Sequence, residues 1–412
     1  MPTNGGSRPL AGIRIIDLSN MISGPLATMI LGDQGADVIK VEAPGMGDPM
    51  RMFGAMRGGM SSTFVNLNRS KRSIVIDLRG ETGKEILRRL IRKADVFVQN
   101  FRPGVVERLG FGHDAVRALA ADVVYASISG FGDTGPFSHR PVYDNVVQAL
   151  SGVTAVQADP DTGKPELVRN LTLDKATAYT VAQAVTAALL ARARGRGGQY
   201  VRVAMLDAAI AFLWPDGMMN HTFLGDDVFR VPPIATIYRI YPTADGSITV
   251  AALTDDQWAR TCRATDREDL IEDPRFRSIF DRLTHMQELR EIVTDIIATR
   301  TTAEWCALSR STTFLTPPSC PWTTCPSTRR CGRTARWWKP STRRRVRCGR
   351  RFPPPGSTPR LPSPIDQRPP TANTRIKCWA RLATAERKSR RYERAGPWRR
   401  TIGDTVNPRG NA

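Results

Sequence analysis

Histidine is scarce. His113, His139, His221 and His285 are the only four in 412 residues, and no two stand at H-E-x-x-H or H-x-x-x-H spacing. A histidine-held hydrolytic metal therefore has no support, and no metal ligands are expected. Cysteine is thin as well: Cys262 and Cys306 are the only ones in the first 307 residues, the total of seven is odd, and no pair has C-x-x-C spacing. That pattern argues against a disulfide framework and a zinc or dithiol site. The chain also lacks a G-x-S-x-G elbow and a G-x-x-x-x-G-K-[ST] loop, so serine hydrolysis and P-loop phosphoryl transfer are without their parts. No apolar run reaches the ~20 residues that a membrane span needs. The opening MPTNGGSRPLAG has no charged-then-apolar signal pattern. A soluble cytoplasmic protein with no membrane partner is expected.

Acidic residues are missing altogether between 308 and 365. The net charge of +21 comes from residues 308–412, with 25 Lys and Arg against four acids, whereas the first 307 residues hold 35 of each sign. The run RRCGRTARWWKPSTRRRVRCGRR, 329–351, looks like a polyanion-binding arm. Disordered basic tails avoid Trp, however, and five of the eight tryptophans fall after residue 308. Trp337-Trp338-Lys339 read one frame over gives Val then Glu, and G+C-rich codons for Arg310 to Cys320 permit Leu-Asp-Asp-Val-Pro-His-Ala-Pro-Val-Leu. Residues 309–412 are accordingly expected to be an aberrant, mis-framed or disordered tail beginning near 308–311. Nucleic acid is not the expected partner. An inactive frame-shifted product is one alternative.

Before the tail, short β-branched runs alternate with amphipathic stretches. GIRIIDLS, ADVIKVE, SIVIDL, DVFVQN, DVVYASISG and QYVRVAML predict buried strands, while PLATMILGDQG and ETGKEILRRLIRKA predict helices. That order predicts an α/β fold with a mostly parallel sheet in a large Rossmann-like domain. ATAYTVAQAVTAALLARARG, 176–195, is apolar on nearly all sides and predicts a buried helix closed by a glycine. From about 225 the texture loosens, and VPPIATIYRIYPTADGSITVAAL predicts a linker and the first hairpin of a smaller α/β domain.

Few motifs suggest chemistry. GFGDTG, 130–135, follows a strand as a dinucleotide fingerprint does, but Pro136 and FSHRPVYD stand where a helix is required, so a tight glycine turn is expected. NFRPG ends a strand with Asn100 and puts Arg102 in the turn, where ligands of open α/β sheets bind. Asp174 precedes the long apolar helix as an N-cap candidate, and on residue type alone that structural role is its natural reading.

GIRIIDLSNMISGPLATMILGDQGADVIKVEAPGMGDPMR, NLNRSKRSIVIDL, NFRPGVVERLGFG, SISGFGDTGP with VYDNVVQALSG, and RGRGGQYVRVAMLDAA together resemble the class III CoA-transferases, over residues 10 to about 307. The resemblance implies an enzyme that moves CoA from an acyl-CoA donor to a carboxylic acid. In it Asp174 would be the nucleophile, forming an acyl anhydride and then an aspartyl-CoA thioester. Backbone N–H groups at the start of the Asp174 helix would stabilise the oxyanions. CoA, a substrate with no cofactor beyond it, would lie along Ile76, Asp77, Leu78 and Arg79, then Asn100, Phe101 and Arg102, with Ala43, Arg108 and Tyr143 nearby. Arg79, Arg102 and Arg108 suit phosphate pairing. Ile22 and Ser23 replace a polar pair that some relatives use. The resemblance also implies an interlocked homodimer and three segments: a large CoA-binding catalytic domain, 1–225, a small truncated domain, 226–308, and the tail, 309–412. The neighbouring α-methylacyl-CoA racemases are an alternative, weakened because Tyr143 stands where that branch carries its histidine. Short dicarboxylates, oxalate-like acids and bile-acid or carnitine-like substrates all remain open.

Overall fold

The protein is described by a computed structural model covering residues 8–159, 162–250 and 252–312. The basic run 329–351 and the frame reading of the tail lie outside the described residues.

Strand β1 (Arg14–Asp17) leads through α1 (Ser23–Asp33) to β2 (Asp37–Glu42) and β3 (Lys71–Val75). Helix α2 (Glu81–Ile91), β4 (Val96–Gln99) and β5 (Val124–Ser129) follow. Then come α3 (Asp144–Ser151), α4 (Thr172–Ala191), β6 (Tyr200–Ala204) and α5 (Met205–Gly217). The six strands pair in the order β3-β2-β1-β4-β5-β6, all parallel. This is the expected α/β architecture with its mostly parallel sheet.

The central strands read as continuous apolar runs because both their faces are covered. Alternation sends Ile15, Val96 and Val98 to one face, where they pack with Ala27 and Leu31 of α1 and Val181 and Val185 of α4. Ile16, Phe97 and Tyr125 go to the other face against Leu87 and Ile91 of α2. Two apolar layers thus clamp one sheet. The chain first builds outward from β1 to β3 and then crosses back to β4, so the strand order reverses between β1 and β4. At such a reversal the connections leave in opposite directions and open a crevice beyond the carboxyl ends of the strands.

Helix α4 departs from its sequence reading in two ways. It begins at Thr172 rather than 176, and only one side is covered: Ala178, Val181, Val185 and Ala188 are buried, while Tyr179 and Leu190 are 63% and 52% exposed. An apolar stripe all round does not require burial all round when α1 and the sheet occupy a single side. The stop is as expected, since Gly195 takes a left-handed φ of 77° within a wider turn over Arg192–Arg196. Gly132 and Gly135 are also left-handed, so GFGDTG makes a turn and opens no helix.

Beyond residue 225 an antiparallel hairpin, β7 (Ile240–Pro242) with β8 (Ser247–Thr249), precedes α6 (Asp255–Ala264), α7 (Ile279–Thr284), α8 (Met286–Ala298) and α9 (Thr302–Thr312). Capping boxes start α6 (Thr254 with Gln257) and α7 (Ser278 with Asp281). Trp258, Cys262, Phe276 and Leu289 form a core of their own, separate from the two sheet layers.

Candidate active site

The crevice between β1 and β4 is held by a reciprocal amide pair. Asn20 N–H donates to Asn100 Oδ1 and Asn100 Nδ2 donates to Asn20 O, both at 2.8 Å. The next residue, Met21, has φ 67°, a left-handed conformation that costs a non-glycine residue energy and needs outside support. Support comes from Asp48, whose Oδ1 accepts Met21 N–H at 3.2 Å. Asp48 is itself paired with buried Lys40 at 2.9 Å, and Lys40 also donates to Ser19 O. This framework aims Ser23, the first residue of α1, at the cavity. Pro25 fits the first turn because no N–H is needed there.

Asp174 is not an N-cap, as its sequence position suggested, but the third residue of α4. The cap comes from a different helix: Asp144 Oδ2 accepts the N–H groups of Leu173 and Asp174, each at 2.8 Å. The Asp174 carboxylate is thereby left free to face the cavity. Ser23 Oγ donates to its Oδ1 at 3.0 Å. Its pKa is pushed up to about 6, chiefly by burial and further by the charge of Asp144, against the side-chain and backbone donors of Ser23. The oxyanion donors expected at the start of this helix are already engaged. Thr172 N–H goes to Asn170 O, Leu173 and Asp174 to Asp144, and Lys175 to Leu171 O.

Asp174 and Ser23 open on a cavity of about 890 Å³ that Asn100, Phe101, Arg102 and Tyr143 also line. Four of the ten residues expected to hold CoA thus meet Asp174 in one space. The other six do not line it. Ala43 is exposed just after β2, and Ile76, Asp77, Leu78 and Arg79 follow β3, so parallel topology puts them on the same carboxyl edge. Ile76 is 4% exposed and packs in the core, which leaves only its backbone for a ligand. Arg79 is bound bidentately by Asp77, with both contacts at 2.9 Å. Arg108 is exposed at the end of a short helix, Val105–Arg108.

Sequence reasoning missed Ser23, Asp144 and Gln148. At the position of Ser23 the resemblance leaves a polar contact in doubt, and the structure shows its hydroxyl donating to Asp174. The signal for the other two is the i, i+4 spacing in DNVVQ: Gln148 Nε2 donates to Asp144 Oδ1 at 2.5 Å, and both are buried.

A doubly wound parallel sheet whose switch-point crevice holds a carboxylate at the head of a helix defines an α/β enzyme built around one acid. The chain belongs to CoA-transferase family III, whose model matches residues 10–341. That match continues past residue 308, into the basic tail. A probable fatty acyl-CoA transferase, Rv3272, of Mycobacterium tuberculosis is 35% identical over 75% of this chain and 82% of its own. An acetyl-CoA:oxalate CoA-transferase of Acetobacter aceti is 35% identical over 72% and 77%, and a succinyl-CoA:glutarate CoA-transferase of Mus musculus 34% identical over 73% and 70%. The crystal structure of Rv3272 superposes with a TM-score of 0.70 at 34% identity, covering 79% of this chain and 89% of that one.

Proposed function

We propose that the protein transfers CoA from an acyl-CoA to a free carboxylic acid through covalent intermediates on Asp174. One Asp174 oxygen attacks the thioester carbonyl, the C–S bond breaks, and CoA thiolate leaves a mixed anhydride. The thiolate then attacks the Asp174 carbonyl, expelling the donor acid and forming an aspartyl-CoA thioester. The acceptor carboxylate attacks that thioester and releases the thiolate again. Attack of the thiolate on the acceptor's acyl carbon gives the new acyl-CoA and frees Asp174. Carboxylate, anhydride and thioester are close in reactivity, so each step is shallow. CoA is the substrate, and this chemistry calls for no further cofactor.

The observation that carries the reading is Asp174 itself, raised in pKa, held by Ser23 and facing a cavity large enough for a substrate. CoA is placed along Asn100, Phe101, Arg102 and Tyr143, with its far end toward Arg108, Ala43 and the turn Ile76 to Arg79, where a phosphate would displace Asp77 from Arg79. The relatives named for oxalate and glutarate favour a short dicarboxylic acid as acceptor. We read the enzyme as a cytoplasmic homodimer with a large domain to about 225 and a small one to 308. Tyr179, Leu190, Phe212 and Trp214, each more than half exposed, are apolar surface that a second subunit would cover. The basic sequence after about residue 308 is assigned to a shifted reading frame, and the family match overlaps its first part, to residue 341.

The test is mass spectrometry of the Asp174 peptide after a fast quench with a panel of acyl-CoAs. A CoA-sized adduct, or a hydroxamate after hydroxylamine, is expected on Asp174 and lost in Asp174→Asn. Full transfer activity in Asp174→Asn would refute the mechanism.

A further inference from the structure

Three guanidinium groups, those of Arg102, Arg140 and Arg169, line the cavity that holds Asp174. Among the described residues none of the three has a carboxylate partner. Some arginines elsewhere are paired, as Arg69 is with Asp33, Arg72 with Asp37 and Arg192 with Asp95, so what sets these three apart is their place on the cavity wall. The cavity therefore presents unsatisfied positive charge around a nucleophile that is itself an anion.

Arg169 differs from the other two in how its backbone is held. Gln148 Oε1 accepts Val168 N–H at 2.9 Å, and Gln148 Nε2 donates to Val168 O at 3.1 Å and to Asn170 O at 3.3 Å. The residues on either side of Arg169 are thus tied to one side chain that is 2% exposed. The same Nε2 contacts Asp144, which caps the turn bearing Asp174. Nucleophile and guanidinium are mounted on one frame, Val168 to Gln148 to Asp144 to Asp174. Arg140 instead lies over the Phe137 ring at 4.3 Å, and Arg102 stands in the turn after β4, beside the residues assigned to CoA.

We propose that Arg169 is the residue that reads the distal carboxylate of a short dicarboxylic acid acceptor, while the acid's other carboxylate takes CoA at Asp174. This rests on the transferase reading. Guanidinium matches a carboxylate with two parallel N–H donors, and a site built for a charged group discriminates strongly against an analogue lacking it. Glutarate and valerate have the same carbon count and differ only in that group.

The experiment uses the full chain with acetyl-CoA or butyryl-CoA, donors without a distal carboxylate, and compares glutarate with valerate as acceptors. Arg169→Gln is expected to lower kcat/KM for glutarate ~30-fold, mainly through KM, and to change valerate by no more than ~3-fold. Arg169→Lys should retain part of the preference, since it keeps charge but not the fork. Hydroxamate trapping at Asp174, which reports only the donor half of the reaction, should be the same in Arg169→Gln as in the unaltered chain. An equal loss for both acceptors, no loss, no glutarate preference in the unaltered chain, or a selective loss in Arg140→Gln instead would each overturn the assignment. Failure of every acyl-CoA to label Asp174 in the unaltered chain would overturn the transferase reading beneath it.

Discussion

Asp144 supports and opposes Asp174 at once. One of its oxygens takes the N–H groups of Leu173 and Asp174 at 2.8 Å, fixing the turn on which Asp174 sits. Its negative charge also makes ionisation of Asp174 harder, adding to the larger effect of burial. A helix start capped by a second helix ties α3 to α4, so the position of Asp174 depends on a contact 30 residues away in sequence.

Replacement separates the two effects. Asp144→Ala leaves two buried N–H groups without an acceptor and should cost about 1–2 kcal/mol of stability. Asp144→Asn keeps an acceptor of the same size without the charge. Its acid limb of activity should move to lower pH while the urea midpoint changes less than in Asp144→Ala. A limb that does not move would mean that the charge of Asp144 is not felt at Asp174.

In the proposed mechanism Asp174 attacks as its ionised form, so acylation should fall as pH drops through about 6, by a factor approaching ten per unit below that. Ser23 donates to the ionised form. Ser23→Ala should therefore shift the limb upward and slow acylation near neutrality. Single-turnover trapping of Asp174 between pH 4.5 and 8 measures both. A flat profile across pH 6 would exclude Asp174 as the group whose ionisation controls the step.

The sheet was legible in the sequence because β1, β4 and β5 are buried on both faces and so appear as unbroken β-branched runs. Asp174 was legible only through the company of long motifs. Nothing local separates a nucleophilic aspartate from a capping one, and its true cap, Asp144, lies on another element. The same nonlocality hid the start of α4 and the engagement of the expected oxyanion donors, since Leu173 and Asp174 N–H groups are free in any single-helix reading and taken by Asp144 once α3 packs. Ser23 was hidden for a different reason: it reaches Asp174 across 151 residues and has no spacing signature.

Beneath the site, Lys71 and Asp17 form a buried pair at 3.0 Å, with side chains 2% and 0% exposed. Burial alone would raise Asp17, but the charges of Lys71 and Lys40 and the hydroxyls of Ser19 and Thr28 outweigh it and hold its carboxyl far below the usual range. Burial pulls Lys71 down to about 8, against the charge of Asp17. Lys71→Met strands a buried carboxylate and should cost about 3–5 kcal/mol in urea unfolding. The double replacement Asp17→Asn with Lys71→Met should be more stable than Lys71→Met alone. If the two changes are simply additive, the pair is not coupled.

Asp174 should also leave a mark on stability, of opposite sign to its effect on activity. Its folded pKa of about 6 lies above the ordinary 3.8, so the folded state holds the proton more tightly. The stability this contributes is full below about pH 3.8 and is lost as pH rises through about 6. At neutral pH the folded protein therefore carries an ionised group that it disfavours. Asp174→Asn mimics the protonated form and keeps a partner for Ser23 Oγ. Allowing for partial exposure, it should stabilise the protein by about 2 kcal/mol at pH 7.5 and by close to nothing near pH 4, while abolishing transfer. Urea midpoints at the two pH values make the comparison. An Asn variant less stable than the unaltered chain at pH 7.5 would show that burial does not strain the carboxylate, and the acid limb near pH 6 would then need another owner.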